Sequence, residues 1–268
     1  MSLKPPVALS IAGSDSGAGA GIQADLLTFA ALGVFGTTAL TCVTAQNPDS
    51  VTDVEALRPE LVREQILQVD RFFRLGAVKT GMLFNTPIIN SVAAFFQNRP
   101  NLPKVVDPVM VATSGAVLLQ EDAIEALKER ILPQATLVTP NADEAGVLIG
   151  DSPRGPDEAR HAALELAARF DTAFLLKGGH LEGDLIVDIL AFPDGACMQF
   201  ASRRIMNVDT HGSGCTLSAA IAARLALGDP LDKAVSNARD FLSHGLRNPV
   251  EVGSRRFIAH HAPAHAGA

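Results

Sequence analysis

The chain has no tryptophan and no tyrosine, and only three cysteines in 268 residues. Any aromatic wall in a binding pocket must therefore come from phenylalanine or histidine. Cys42, Cys197 and Cys215 form no C-x-x-C pair and show no zinc-ligand spacing. So sparse and odd a set suits a reducing cytosol, the expected location. A positive excess is missing too: 22 Lys and Arg stand against 29 Asp and Glu, for a net charge of −7. This argues against a nucleic-acid-coating or anionic-membrane surface, while leaving room for a local basic pocket that takes an anion. The stretch MSLKPPVALSIAG has too short an apolar run for a signal peptide, and no segment approaches membrane-spanning length. Linkers, low-complexity tracts and internal repeats are also missing. The 47% hydrophobic content is that of a globular protein. A single domain over residues 1–268 is expected, with a frayed tail from about 259. His260, His261 and His265 fall in that tail, where fraying is a simpler account than a metal site.

What is present is alternation. β-rich runs at 7–13, 37–46, 77–82, 104–110, 136–141 and 173–180 are separated by helical patterns at 22–33, 59–75, 87–98, 121–132, 142–149 and 156–170. Helices near 215–227 and 230–246 close the chain. Two β-like runs within 184–202 flank Pro193-Asp194-Gly195, a hairpin signal. Repeated β-then-α order predicts an α/β fold of three layers, α/β/α, with a mostly parallel central sheet and the late hairpin as an antiparallel edge.

In open α/β sheets, ligands bind beyond the carboxyl ends of the strands. Unusual residues gather there: Gly13-Ser14-Asp15, Gln46-Asn47, Lys79-Thr80-Gly81-Met82, Asp107-Pro108, Pro140-Asn141 and Lys177-Gly178-Gly179-His180. Turn formation accounts for each Gly, Pro or Asn taken singly. It accounts less well for lysines and carboxamides leaving apolar runs directly, so the six segments are expected to face one crevice.

Two glycine loops precede helices. GSDSGAGAG (13–21) has no lysine after it, so it is not a G-x-x-x-x-G-K-[ST] loop, and its G-x-G-x-G run lacks the last glycine of a dinucleotide fingerprint. In the helix that follows, Asp25 lies about sixty degrees from the centre of the Ile22/Leu26/Phe29/Gly33 stripe. It is either a first-turn acid satisfying helix amides or an acceptor for a donor group on a ligand. The second loop, THGSGC, opens an alanine-rich helix. Gly212 and Gly214 would let first-turn amides bend around an anion such as phosphate. The same field is expected to lower the Cys215 thiol, leaving it partly ionised near neutral pH or sharing a proton with a substrate hydroxyl. The alternative is a small buried helix residue.

Seven stretches together carry a resemblance: SIAGSDSGAGAGIQADLLTFAALGVFG, VTAQN, KTGML, VVDPVMVATSG, LLP…LVTPNADEA, LLKGGH and NVDTHGSGCTLSAAIAARLALG, in order over residues 10 to 228. Each is weak, and seven in order are specific. The chain resembles the hydroxymethylpyrimidine/phosphomethylpyrimidine kinases of the ribokinase-like superfamily. The resemblance implies ATP-dependent, Mg²⁺-requiring phosphorylation of 4-amino-5-hydroxymethyl-2-methylpyrimidine and then of its monophosphate, in thiamine biosynthesis, by a homodimer. Small molecules would be its partners, with no nucleic acid and no membrane.

Carried over by motif, Gln46 would read the aminopyrimidine edge, since a carboxamide donates and accepts together. Asp25 and the Gly13 backbone would help hold the substrate, with Met82 and Val109 packed on it. Gly212 and Gly214 would form the anion hole over the transferring phosphoryl group. Lys177 and Asn141 would serve ATP. Asp107 and Glu144, with Asn141, would arrange Mg²⁺ and its waters. Cys215, standing where many sugar kinases of the superfamily carry an aspartate, would be the general base.

One departure stands out. Pro48-Asp49-Ser50 follow AQN where the family often has Thr and Gly, and Pro48 restricts Asn47 to extended geometry. That is expected to alter the flap over the substrate. A pyridoxal-type vitamin kinase of the same fold is the near alternative, and a non-catalytic metabolite sensor the distant one.

Overall fold

The computed structural model describes residues 4–110, 119, 121–180 and 184–260. Its centre is one nine-stranded sheet. β1 (Val7–Asp15) pairs in parallel with β2 (Phe35–Asn47) on one side and β4 (Leu75–Thr80) on the other. From β4 the parallel run continues through β5 (Lys104–Val106), β6 (Leu137–Val138) and β7 (Ala173–Leu176). β8 (Leu185–Ala191) and β9 (Cys197–Arg203) add the antiparallel hairpin expected around Pro193-Asp194-Gly195.

The other edge was not foreseen. β3 (Ser50–Ala56) turns back from β2 through Pro48-Asp49 and pairs with it antiparallel. Its alternation is mostly polar and half exposed, so it gives little hydrophobic signal for a strand. A separate two-stranded hairpin, β10 (Val250–Val252) and β11 (Arg255–Phe257), was likewise unforeseen.

Side-chain alternation along the central strands sends neighbours to opposite faces. Leu9, Val78, Val106, Val138 and Phe174 enter a core with α2 (Pro59–Phe72), α3 (Thr86–Asn98), α4 (Glu121–Arg130), α5 (Ala142–Ile149) and α6 (Pro156–Phe170). Ala8, Ala77, Val105, Leu137 and Leu175 enter a second core with α1 (Gly21–Ala31), α7 (Ser213–Ala226) and α8 (Leu231–Arg247). The result is the expected three-layer α/β/α arrangement.

Thr216 to Ala223 are all buried, because α7 lies between the sheet, α1 and α8. Its alanines allow that close approach. A Cβ on Gly76 would come within 3.1 Å of Ala226. No helix among the described residues is long and apolar enough to cross a membrane.

The C-terminal segment corrects one expectation. Ile258 and Ala259 are buried, and the Ala259 amide donates to the Gly245 carbonyl at 3.2 Å, so the chain is packed on α8 where fraying was expected to begin. His260 Nε2 lies 3.0 Å from Thr216 Oγ1. His261 and His265 lie outside the described residues, as does the Val111–Gly115 part of the VVDPVMVATSG stretch.

Candidate active site

Strand order fixes the place of the site. The chain steps from β1 to β2, then returns past β1 to β4, so a crevice opens between the carboxyl ends of β1 and β4. A cavity of about 1470 Å³ lies along this rim. Gly13, Gln46, Lys79, Asp107, Asn141 and Lys177 all line it, one from each of the six strand-end segments. Its size exceeds the ordinary range for one small ligand, about 300–1,000 Å³, and suits two substrates held end to end.

Near the ends of β2 and β4, Met82 and Cys42 form a small buried cluster with Val109, Val54 and Phe84 packed against it. Met82 and Val109 face the cavity, while Phe84 stands behind them. Gly13 is glycine because a Cβ there would lie 2.7 Å from Cys42 Sγ. Gln46 lines the cavity from the end of β2. Its backbone is stapled to the first glycine loop: Ser16 Oγ donates to the Gln46 carbonyl and accepts from the Gln46 amide, each at 2.7 Å.

The two glycine loops hold each other. Asp15 accepts from the amides of Gly17 and Ala20, both at 2.8 Å, and its Oδ2 is 3.2 Å from His211 Nε2. Burial acts to raise the Asp15 carboxyl, but the His211 hydrogen bond and these two amides outweigh it and hold the group below its ordinary value. Cβ atoms on Gly19 and Gly212 would strike the His211 ring and the Gly19 carbonyl respectively. The glycines expected to admit a ligand therefore also admit the other loop.

Gly212 caps α7 in the left-handed region, φ +78°. Gly214 follows in the first turn, where a Cβ would stand 3.3 Å from Lys177 Nζ and 3.8 Å from Asp107 Oδ2. The free amides of this turn thus open beside an ammonium group, which is the chemistry of a phosphate site. Lys177 donates to Asp107 Oδ1 at 3.0 Å and lies 3.8 Å from Glu144 Oε2. Ser218 of α7 donates to Asp107 Oδ2 at 3.1 Å, and Thr139 to Oδ1 at 3.2 Å. Asn141 caps α5 in a reciprocal box: its Oδ1 accepts from the Glu144 amide and Glu144 Oε2 accepts from the Asn141 amide, both at 2.8 Å.

Burial pushes the Asp107 carboxyl up, but the ammonium groups of Lys177 and Lys79 win and hold it below its ordinary value. Lys177 is raised, burial being outweighed by the charges of Asp107 and Glu144. Burial dominates at Glu144, which is pushed up to about 7 against the pull of Lys177.

Two expectations need correction. Asp25 does not reach the cavity. It is fully buried, and its carboxylate holds Lys79 Nζ at 2.8 and 2.9 Å and accepts from Ser10 Oγ at 2.5 Å. Burial raises Asp25 against the pull of Lys79; the charges of Asp25 and Asp107 help hold Lys79 above its ordinary value although its own burial opposes them. Asp25 therefore acts on the site through Lys79, which does line it.

Cys215 lines the cavity, as the anion-site reading requires, but its thiol is not lowered. Burial, with the nearby charges of Asp25 and Asp107, pushes it up to about 11 against Lys79 and a Gly21 hydrogen bond. Removing a thiolate from water costs more here than the helix start returns, so the group is neutral at neutral pH.

Sequence reasoning missed Lys79 as a partner of Asp25, the His211–Asp15 contact, Ser218, and the partly buried pair Arg239–Asp188. Arg239 Nε donates to Asp188 Oδ2 and the Gly178 amide to Asp188 Oδ1, each at 2.7 Å, which fixes the turn after Lys177. His211 sits inside a loop already singled out. Arg239 sits on an ordinary amphipathic helix and carries no local signal.

Known proteins resemble this chain in sequence and fold. The phosphomethylpyrimidine kinase family profile matches residues 15–260. A hydroxymethylpyrimidine/phosphomethylpyrimidine kinase of Rhizobium meliloti (strain 1021) is 45% identical over 95% of this chain and 96% of its own. A thiamine biosynthesis bifunctional protein of Geobacter sulfurreducens is 44% identical over 91% of this chain and 50% of its own. Among solved structures, an ADP complex of Bacillus subtilis pyridoxal kinase superposes with TM-score 0.88 at 33% identity, covering 96% of this chain and 98% of its own. A phosphomethylpyrimidine kinase from Clostridium difficile gives TM-score 0.78 at 36% identity, covering 89% and 98%. With a matching profile over most of its length and relatives above 40% identity, the chain belongs to the phosphomethylpyrimidine kinase family, of ribokinase-like fold.

Proposed function

We infer that this protein transfers the γ-phosphoryl group of ATP to the hydroxymethyl group of 4-amino-5-hydroxymethyl-2-methylpyrimidine, and then phosphorylates the monophosphate to the diphosphate, in thiamine biosynthesis. One observation carries the reading. A single cavity has a small apolar cluster and a carboxamide at one end, Lys177 with its two carboxylates at the other, and the Gly212–Gly214 amides with Cys215 on its wall.

Phosphoryl transfer needs positioning and charge stabilisation more than covalent help. Gln46 orients the aminopyrimidine edge, and Met82 and Val109 pack on the ring. Lys177 and the first-turn amides of α7 stabilise charge on the moving phosphoryl oxygens. The thiolate form of Cys215, a small fraction at neutral pH because burial pushes the group up to about 11, takes the alcohol proton as the new O–P bond forms and ADP leaves. A neutral thiol also repels the anionic monophosphate less than a fixed carboxylate would, which suits a second phosphorylation at the same place.

Mg²⁺ fits this donor set in a limited way. Among the described residues no three His, Cys, Asp or Glu converge on one point, so there is no all-protein cage. Mg²⁺ needs none, since it keeps several waters and leans on substrate phosphates. Asp107 and Glu144, with Asn141 beside them, would hold it through those waters. When bound, the ion neutralises phosphate charge.

A pyridoxal-type kinase is the second reading, favoured by the better superposition on a pyridoxal kinase. Sequence identity favours the pyrimidine. The deciding experiment measures ATP consumption with each alcohol and separates mono- from diphosphate products. A kcat/KM for pyridoxal above that for the pyrimidine alcohol reverses the assignment. We place the enzyme in the cytoplasm as a homodimer, to be checked by fractionation and sedimentation.

A further inference from the structure

The β10–β11 hairpin poses a question that the core does not answer. Val250 and Val252 are 39% and 58% exposed, and the hairpin joins no strand of the main sheet. A lone two-stranded hairpin is marginal in water, so its polar contacts matter. The Asp209 amide donates to the Arg256 carbonyl at 2.8 Å. Arg255 reaches further. Its Nη1 donates to Asp209 Oδ2 at 2.9 Å, and its Nη2 donates to Asp49 Oδ1.

These carboxylates flank two different walls of the site, lined by Gln46 and by Thr210 and His211. Asp49 lies in the β2–β3 turn, shaped by Asn47 Oδ1 accepting from the amides of Asp49 and Ser50 at 2.8 and 3.0 Å. Gln46 comes immediately before that turn. Asp209 Oδ1 accepts from the His211 amide at 2.9 Å, so the same side chain sets the entry to the Gly212–Gly214 loop. One planar guanidinium therefore joins the acceptor wall to the phosphate loop, and a fork of donors suits that task better than a point charge.

The Arg255 and Asp49 side chains are 38% and 73% exposed. Exposed ion pairs add little to global stability and are screened by salt. Such a contact is too weak to hold the fold together but can bias the position of one turn. We propose that Arg255 is a positioning residue, which draws the Pro48-Asp49 turn, and Gln46 with it, toward the 209–214 loop so that the acceptor is held beside the phosphate-binding amides. The departure Pro48-Asp49-Ser50 supplies the carboxylate that makes this possible. The substrate in this inference rests on the pyrimidine-kinase reading above; the geometry does not.

Two measurements on Arg255→Ala, Arg255→Lys and Asp49→Asn test it. The first is amide hydrogen exchange over residues 45–56 without ligands. Exchange there is expected to quicken about two- to fivefold in Arg255→Ala and Asp49→Asn, with the thermal midpoint unchanged, as for an exposed pair. The second is steady-state kinetics. At saturating ATP the KM for the pyrimidine alcohol should rise about 2- to 5-fold, with kcat and the KM for ATP little altered, and Arg255→Lys intermediate. The wild-type KM should climb toward the variant value as salt is raised from about 0.02 to about 0.5 M, while the Arg255→Ala value stays flat.

Unchanged exchange at 45–56 overturns the contact. Faster exchange with an unaltered KM, or a loss confined to kcat, overturns the positioning role. If the wild type turns over no pyrimidine alcohol, the functional reading fails, and the exchange measurement still decides whether Arg255 holds the turn.

Discussion

Gly212 lies against the carbonyl oxygen of Gly19, so close that a Cβ would stand 1.8 Å from it. Residues nearly two hundred positions apart thus form one floor, and the left-handed φ of +78° at Gly212 adds a second reason for glycine. Gly212→Ala should separate the loops and misplace the first-turn amides of α7. The expected result is a fall in kcat of about 10²-fold or more, the scale seen on losing an oxyanion-type donor, with the KM for the alcohol less affected. Steady-state kinetics on the purified variant checks this.

Cys215 is neutral at neutral pH, its thiol pushed up to about 11 chiefly by burial. Alkylation by iodoacetamide should be slow at pH 7 and quicken about tenfold per pH unit toward 11. Cys215→Ala should lower kcat by roughly 10²- to 10⁴-fold, and Cys215→Asp should support the first phosphorylation better than the second. If both variants keep full rates for both steps, the base assignment fails.

Asp25 and Lys79 form a wholly buried pair. Removing one partner leaves an uncompensated charge, at a cost of about 3–5 kcal/mol. Asp25→Ala should unfold that much more easily in urea, whereas Asp25→Leu combined with Lys79→Met should recover most of the loss. Equal destabilisation by the single and double variants would show that the pair does not act as a unit.

Glu144 is pushed up to about 7 from 4.5. A carboxyl raised on folding binds its proton more tightly in the native state. Wild-type stability therefore declines as pH rises from 4.5, and the loss is complete a little above 7. Glu144→Gln removes that penalty and keeps the acceptor for the Asn141 amide. Its advantage in urea denaturation should be near zero at pH 4 and reach about 3 kcal/mol at pH 8, on the scale of 1.36 kcal/mol per unit. An advantage independent of pH contradicts the raised carboxyl.

Most of the fold could be read from the sequence, because the parallel strands bury both faces and so print as unbroken apolar runs such as VALSIAG and AFLL. β3 and the β10–β11 hairpin could not, since short strands of polar or solvent-exposed residues owe their pairing to a neighbour rather than to a pattern. The site was legible as a rim: Gln46, Met82, Asp107, Lys177 and Cys215 all line the cavity. It was misread where pairing matters. A helical wheel set Asp25 beside the buried face, but a wheel has no means of showing Lys79, 54 residues away, waiting there.

By itself the sequence determined the layers and the rim. Unbroken apolar runs and β-then-α order leave few other ways to cover a sheet, and parallel strands bring their glycine- and lysine-bearing ends to one edge. Only the tertiary structure decided which charge meets which, that Asp25 serves Lys79, that Arg255 bridges Asp49 and Asp209, and that Cys215 keeps its proton. Coulomb attraction and desolvation depend on distance and burial in space, and neither is written in positions along a chain.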